Sequence, residues 1–460
     1  MPKYILFILI IFTNTTLFAE TIKTDVVVIG GTYSGTAAAL QCARSKVKTV
    51  LIEHTDKLGG AASSTESFSI SQNNGLPSGI WGEFRKQVLT YYSETKGYDT
   101  TATPPLKLNE AAANKALRQL TDTVKNLSIR FNTSYTGIKK SGAYWEVTIL
   151  TNGHTETIKA RVLIDATPSS EAAIKAGAVF TTDADHQDST GRQLIGWVHT
   201  GVDDIYTPYN NNKLYRTAIA VNYGSITHDK SLPAFMLPLG AIVAKSVDNV
   251  LVIGPHVSAV YAINRALDNS SAQLILGQGA GTIAAFCAFY ETTTRNLNVR
   301  SIQGELLDFK GYLLPLNDIA TTDPDCRAIH QVCATGLLQG VLEPQDKAPG
   351  MYFKPDAPVT TAEVKPVLME LYTRSFIWFN KAKPGEQFTV GNMLSLMSEF
   401  TLTEPKLMES RMQRQWQLTY HFKAPFDNNR PITRREFAVL ANLYLNPFAR
   451  RVDLEGRVMN

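Results

Sequence analysis

The residues best placed to do chemistry lie near the start of the chain, in the run Gly30-Gly31-Thr32-Tyr33-Ser34-Gly35. A dinucleotide pyrophosphate needs a tight turn, a backbone that can come close to it, and a helix N-terminus aimed at its charge and packed on the preceding strand. Gly30 and Gly35 meet the first and last of these needs. Thr32 holds the middle position, where its Cβ crowds a pyrophosphate although its hydroxyl could donate a hydrogen bond to it. Glu53 comes eighteen residues after Gly35, where a carboxylate can accept from both ribose hydroxyls and disfavours a 2′-phosphate. A glycine run alone fits an ordinary turn equally well, so its flanks decide.

Those flanks have βαβ grammar. Residues 25–29 are β-branched and apolar after Asp25, 36–45 are alanine-rich and helical, and 49–52 form a second strand leading to Glu53. A later buried strand closes at Gly254-Pro255, and a helix begins near Asn269-Ser270-Ser271, where amide and hydroxyl caps are favoured. His256 follows Gly254-Pro255 and could act as acid or base, or simply bond a loop carbonyl. No metal-ligand spacing, HExxH or nucleophile elbow occurs, so difficult chemistry would fall to a cofactor.

The double glycine after Glu53, in His54-Thr55-Asp56-Lys57-Leu58-Gly59-Gly60-Ala61, resembles the FAD-dependent oxidoreductases of the glutathione-reductase-like superfamily. The bacterial branch often labelled FAD-dependent xanthan lyase is the most similar, and its opening commonly reads Gly-Gly-Thr, as here. Ser78-Gly79-Ile80-Trp81-Gly82-Glu83-Phe84, Arg161-Val162-Leu163-Ile164-Asp165-Ala166-Thr167, Asn249-Val250-Leu251-Val252-Ile253-Gly254 and Leu276-Gly277-Gln278-Gly279-Ala280-Gly281-Thr282 extend the resemblance over roughly residues 24–290.

The resemblance implies an α/β chain with a Rossmann-like FAD-binding fold of the two-dinucleotide-binding type, a mixed β insertion and a C-terminal helical module. FAD, rather than NAD, would be held by Gly30, Gly31, Thr32, Ser34, Gly35, Glu53, His54, Gly59, Gly60, Ala166, Gly254, Ser271 and Ala272. The late helix would direct its positive end at the pyrimidine edge of the flavin, with Gly277, Gly279 and Gly281 packing beneath the first βαβ unit. The family usually carries an Arg, a His and a second Arg where this chain has Pro255, Tyr261 and Asp268. Either the substrate differs or the usual catalytic set is lost. The expected activity is hydride transfer between flavin and a small organic substrate. Its rivals are a flavin-assisted lyase or isomerase and a non-catalytic envelope-binding protein.

The domain expectation is FAD-binding residues 20–179 and 239–304, a substrate-facing insertion at 180–238, and a helical module at 305–460. The insertion contains Gly191-Arg192, Trp197, His199 and several Tyr on short polar strands. In the module, 325–340 reads as an amphipathic helix stopped by Gly. Phe353-Lys354-Pro355-Asp356 leads to Thr360-Thr361-Ala362-Glu363, and Pro431-Ile432-Thr433-Arg434-Arg435-Glu436-Phe437 echoes it. The pattern resembles S-layer homology repeats, which implies either weak contact with a cell-envelope polymer through Arg434 and Glu436 or a structural cap.

Length and composition bound the rest. With 460 residues, 44% of them hydrophobic, the chain can bury a large core. The net charge of +4, without a basic run interleaved with aromatics, gives no nucleic-acid footprint. Small molecules are the expected partners, and no metal. Residues 1–19 run from Lys3 through an apolar stretch to Ala19, the order of a secretory signal peptide, with an uncleaved membrane anchor as the alternative. Export to the periplasm or the cell exterior is expected. The four cysteines show no CxxC pair, and Cys326 and Cys333 would lie about 10 Å apart along one helix, too far to bridge.

Overall fold

The computed structural model describes residues 21–60, 68–70, 76, 78–94, 106–182, 192–201, 212–221, 234–343 and 350–459. The leader, Ala61, Gly191 and the tyrosines of 202–211 lie outside them. Val250–Val252, Val162–Asp165, Val26–Ile29, Thr49–Ile52 and Leu127–Arg130 form, in that spatial order, a five-stranded parallel sheet. Covering on both faces explains its continuous apolar strands. Val26 and Val28 point into one core, where the helix Tyr33–Arg44 and the helix Ser270–Phe289 pack. Val27 and Ile29 point into another, shared with Trp145, Val147, Ile149 and Ile158 of a four-stranded mixed sheet. In that sheet Tyr144–Thr151 turns into His154–Ala160 through Asn152 and Gly153 at φ 48° and 84°, the positive angles that a type I′ hairpin needs.

The two long helices touch through missing side chains. A Cβ on Gly277 would stand 2.1 Å from the Ser34 carbonyl oxygen, and one on Gly281 2.5 Å from that of Ala38. Gly279 does not join them: it faces the opposite way, its Cβ position 3.1 Å from Ile219. Ser270–Phe289 is long and apolar enough to span a bilayer, yet it is 83% buried inside the fold, as a core helix is.

Between 180 and 238, Phe180–Thr182 pairs with Arg192–Leu194, and Ala218–Val221 with Phe235–Pro238. The second pair is apolar and wholly buried in the main core, not polar as the sequence reading had it. The core then continues to Leu454. The helix expected over 325–340 is Cys326–Thr335, stopped by Gly336 at φ 86°; Gly340 instead gives way to Met351, whose Cγ lies 2.4 Å from its Cβ position. All four cysteines are free thiols.

The last 110 residues hold a threefold arrangement, of which the sequence reading found two copies. The Val359 N–H donates to the Ile432 carbonyl (3.0 Å), Ile432 to Phe388 (2.9 Å), and Phe388 to Val359 (2.9 Å), closing a ring. Thr360, Thr389 and Thr433 follow, and each caps a helix. The missed copy, Phe388-Thr389, lacks a Glu at the third helical position; Asn392 completes its capping box instead.

Candidate active site

Gly30, Ala166 and Gly254 follow three neighbouring strands, so the sheet alone brings these distant positions side by side. The Ala166 N–H donates to the Ile29 carbonyl (2.9 Å) and the Ile253 N–H to that of Asp165 (3.0 Å). Gly30 turns at φ 103°, and any Cβ there would lie 2.8 Å from the Ala166 carbonyl oxygen. On Gly35 it would lie 1.9 Å from the Gly30 carbonyl oxygen. The double glycine returns to the same place: the Gly59 N–H donates to the Gly31 carbonyl (2.7 Å), and Gly60 rests on the Thr32 methyl.

Two side chains in this cradle differ from expectation. Thr32 is the N-cap of Tyr33–Arg44: its Oγ1 accepts from the Gly35 N–H (3.2 Å) and lies 3.2 Å from the Ala166 carbonyl and 3.1 Å from Ser34 Oγ. Its hydroxyl is engaged within the loop rather than held for a phosphate. Glu53 is buried, and its Oε1 already takes the Thr55 N–H and hydroxyl (both 2.8 Å), with His54 Nδ1 at 3.0 Å. Among the described residues, Oε2 takes only the Gly31 N–H (2.6 Å). That leaves it acceptor capacity for one ribose hydroxyl, not two. His54 is otherwise exposed and touches the site only through Glu53.

The rest of the site is a cleft of about 470 Å³ beyond the ends of Val162–Asp165 and Val250–Val252. Ser169, Arg192, His256, Asn264 and Arg265 line it, together with Pro255, Tyr261 and Asp268. The three positions where the chain departs from the family resemblance therefore share one wall. Asp165 supports the rim: it is fully buried, and its carboxylate accepts from the Thr167 N–H and hydroxyl and, at 2.6 Å, from the Ala173 N–H. Burial outweighs these bonds and pushes its acid up to about 6.

Among the described residues, the His256 ring bonds neither a carbonyl nor a charge. Its Nδ1 lies 3.1 Å from the Ser170 hydroxyl, and Ser170 takes a left-handed conformation (φ 53°) to present it. Burial, and then the cation of Arg192, hold the imidazole below its ordinary value. The late helix starts as expected, but Asn269 takes up its first donors. The Asn269 Oδ1 accepts from the Ala272 N–H (2.9 Å) and the Ser271 hydroxyl (2.6 Å). Ala272 is thus spent on the cap, leaving the helix dipole as its contribution. Arg192, Asn264 and Arg265 carry no motif; only the fold shows that they meet His256.

The cradle fits a dinucleotide: backbone lies where any side chain would collide, a helix starts at it, and a buried carboxylate keeps one open acceptor. Among solved structures, the chain is similar to p-nitrophenol 4-monooxygenase PnpA from Pseudomonas putida DLL-E4 at 20% identity, over 36% of this chain and 44% of that one, with a TM-score of 0.24. It is similar also to the flavin-dependent monooxygenase PieE in complex with FAD and substrate (15%, over 36% and 34%, TM-score 0.26) and to the rebeccamycin biosynthetic enzyme RebC with reduced flavin (18%, over 35% and 36%, TM-score 0.25). The chain spans less than half the length of each. Comparison with curated sequences gives no match. The family model described as FAD dependent oxidoreductase matches residues 25–218 and 216–306, more than half of the chain. The cofactor is FAD, and the chain belongs to the FAD-dependent oxidoreductase family.

Proposed function

We propose that this enzyme is exported and transfers a hydride between a small polar organic substrate and flavin, with the substrate in the His256 cleft. Bound FAD supplies the electron-pair acceptor or donor. The chain's own part is proton management and orientation. In the tautomer that carries its proton on Nδ1, toward the Ser170 hydroxyl, His256 presents an unprotonated Nε2, a base for a substrate hydroxyl or amine. Arg192 and Arg265 offer guanidinium groups to a polar substrate, while Glu171 and Asp268 balance their charge. The observation that carries this reading is the coincidence of a neutral, buried, serine-held imidazole with the cleft that contains all three departures from the family pattern. Those departures favour a different substrate over lost catalysis, because the cleft keeps two Arg and a His at other positions.

Turnover should show an acidic limb below the ordinary imidazole value of about 6.5, since protonation removes the base. His256→Gln is expected to lower kcat by roughly 10²–10⁴-fold and abolish that limb while FAD stays bound. Stopped-flow bleaching of the flavin by sugars and other alcohols, measured against pH, reads both effects. An unchanged pH profile in the variant would remove His256 from the mechanism. Turnover that needs no electron acceptor would instead support the lyase or isomerase reading.

For the C-terminal region we propose a structural cap with an S-layer-homology-like threefold plan. Arg434 and Glu436 are 4% and 2% exposed, and their bonds are internal, which supports a structural role for them over contact with a polymer.

A further inference from the structure

Among the described residues, Arg192 is the cation of the cleft that lacks a counter-ion. Its strand, Arg192–Leu194, is fixed beside the imidazole, because the Leu194 N–H donates to the His256 carbonyl (2.9 Å). One arm of the guanidinium is held, with Nη1 donating to the Ser169 carbonyl (3.2 Å). The group has no other side-chain bond and no ion pair among the described residues, and it is half-buried in the cleft lining, so most of its five donors stay open to a ligand. The other lining cation, Arg265, already pairs with Asp268 at 3.7 Å. Glu171 lines the same cleft without pairing to Arg192; burial, then Asp165 and Glu171, push the Tyr135 phenol up.

We infer that the cleft takes a hydroxy acid, whose carboxylate is held by Arg192 while its hydroxyl meets His256 Nε2. The inference rests on the reading of this cleft as the substrate site and of His256 as its base. A carboxylate brings the charge that Arg192 lacks and two coplanar oxygens that match the guanidinium fork. A neutral sugar offers only single hydroxyls. An amine would enter as an ammonium, against the field of Arg192 and Arg265. The arrangement also serves the base. Burial and then the Arg192 cation hold the imidazole below its ordinary value, and a bound carboxylate offsets that cation, so Nε2 becomes more basic when the acid arrives. The hydroxyl gives its proton to Nε2, and the carbon gives its hydrogen with two electrons to FAD. One C–H and one O–H bond break, a C=O bond forms, and the product is an oxo acid.

The test uses the FAD-loaded full-length enzyme and follows anaerobic flavin bleaching by lactate, glycerate and glucuronate, each against its neutral amide. Wild type is expected to prefer an acid over its amide at least about tenfold, through the half-saturating concentration more than the limiting rate. Arg192→Gln should keep FAD and bring acid and amide within about threefold of each other, because the guanidinium is what tells them apart. Arg192→Lys should restore part of the preference, since the charge returns without the fork. Equal bleaching by acid and amide in wild type, or a preference that survives in Arg192→Gln, would overturn the inference and leave hydride transfer at His256 standing. Bleaching by none of these compounds, nor by neutral sugars and alcohols, would contradict hydride transfer itself and take the inference with it.

Discussion

Gly35→Ala is expected to leave the enzyme without FAD. The added methyl would stand 1.9 Å from the Gly30 carbonyl oxygen and 2.8 Å from the Ala166 Cβ, and the first of these is backbone that no rotamer change can move. Either the start of Tyr33–Arg44 slides off the sheet or the Gly30 turn opens, and both destroy the surface that must meet the pyrophosphate. The predicted loss is at least 100-fold in FAD affinity, about 2.7 kcal/mol or more, with a lower Tm. Fluorescence titration of the apoprotein measures it. Gly385→Ala is the control, since nothing lies within 4 Å of its Cβ position, and it should bind FAD like wild type. Retention of wild-type affinity by Gly35→Ala would mean that the cofactor does not use this loop.

Arg434→Ala is expected to unfold far more than the end of the chain. Its Nε donates to the Phe353 carbonyl at 2.6 Å, its other nitrogens reach Glu363 and the Gln339 carbonyl, and the guanidinium lies over the Phe353 ring. Truncation strands a partly buried carboxylate and two carbonyls, a class of change that costs about 3–5 kcal/mol. The third repeat is tied to the body through Arg435, which pairs with Asp323 and Asp325 (both 2.8 Å), and the apolar core is continuous across the join. Flavin release and loss of helical circular dichroism should therefore shift down together on heating. If Arg434 served a polymer instead, Tm would stay where it is and only polymer binding would fall.

The sequence made the first βαβ unit legible because its signals are local: β-branched strands, a glycine turn, an alanine-rich helix and an acid at the next strand's end. Asn269 was visible as a cap for the same reason. The cleft was not, since Arg192, His256 and Asn264 are united only by the pairing of strands far apart in the chain. Individual bonds were equally hidden. Nothing in the order of residues says that Thr32 turns its hydroxyl inward or that Thr55 fills half of Glu53. Gly279 looked like its neighbours at 277 and 281, but a helix turns about 100° per residue, and a spacing of two places it on another face. The middle C-terminal repeat escaped because Asn392 does by side-chain geometry what Glu does in the third copy.

The most direct measurement is the visible absorption spectrum of the chain from residue 20 onward, purified without added cofactor, with the released chromophore identified by mass. About one FAD per chain, retained through purification and lost in Gly35→Ala, is the predicted result. A colourless protein that takes up no flavin on reconstitution would contradict the account, because the cradle and the capped helix would then need another occupant.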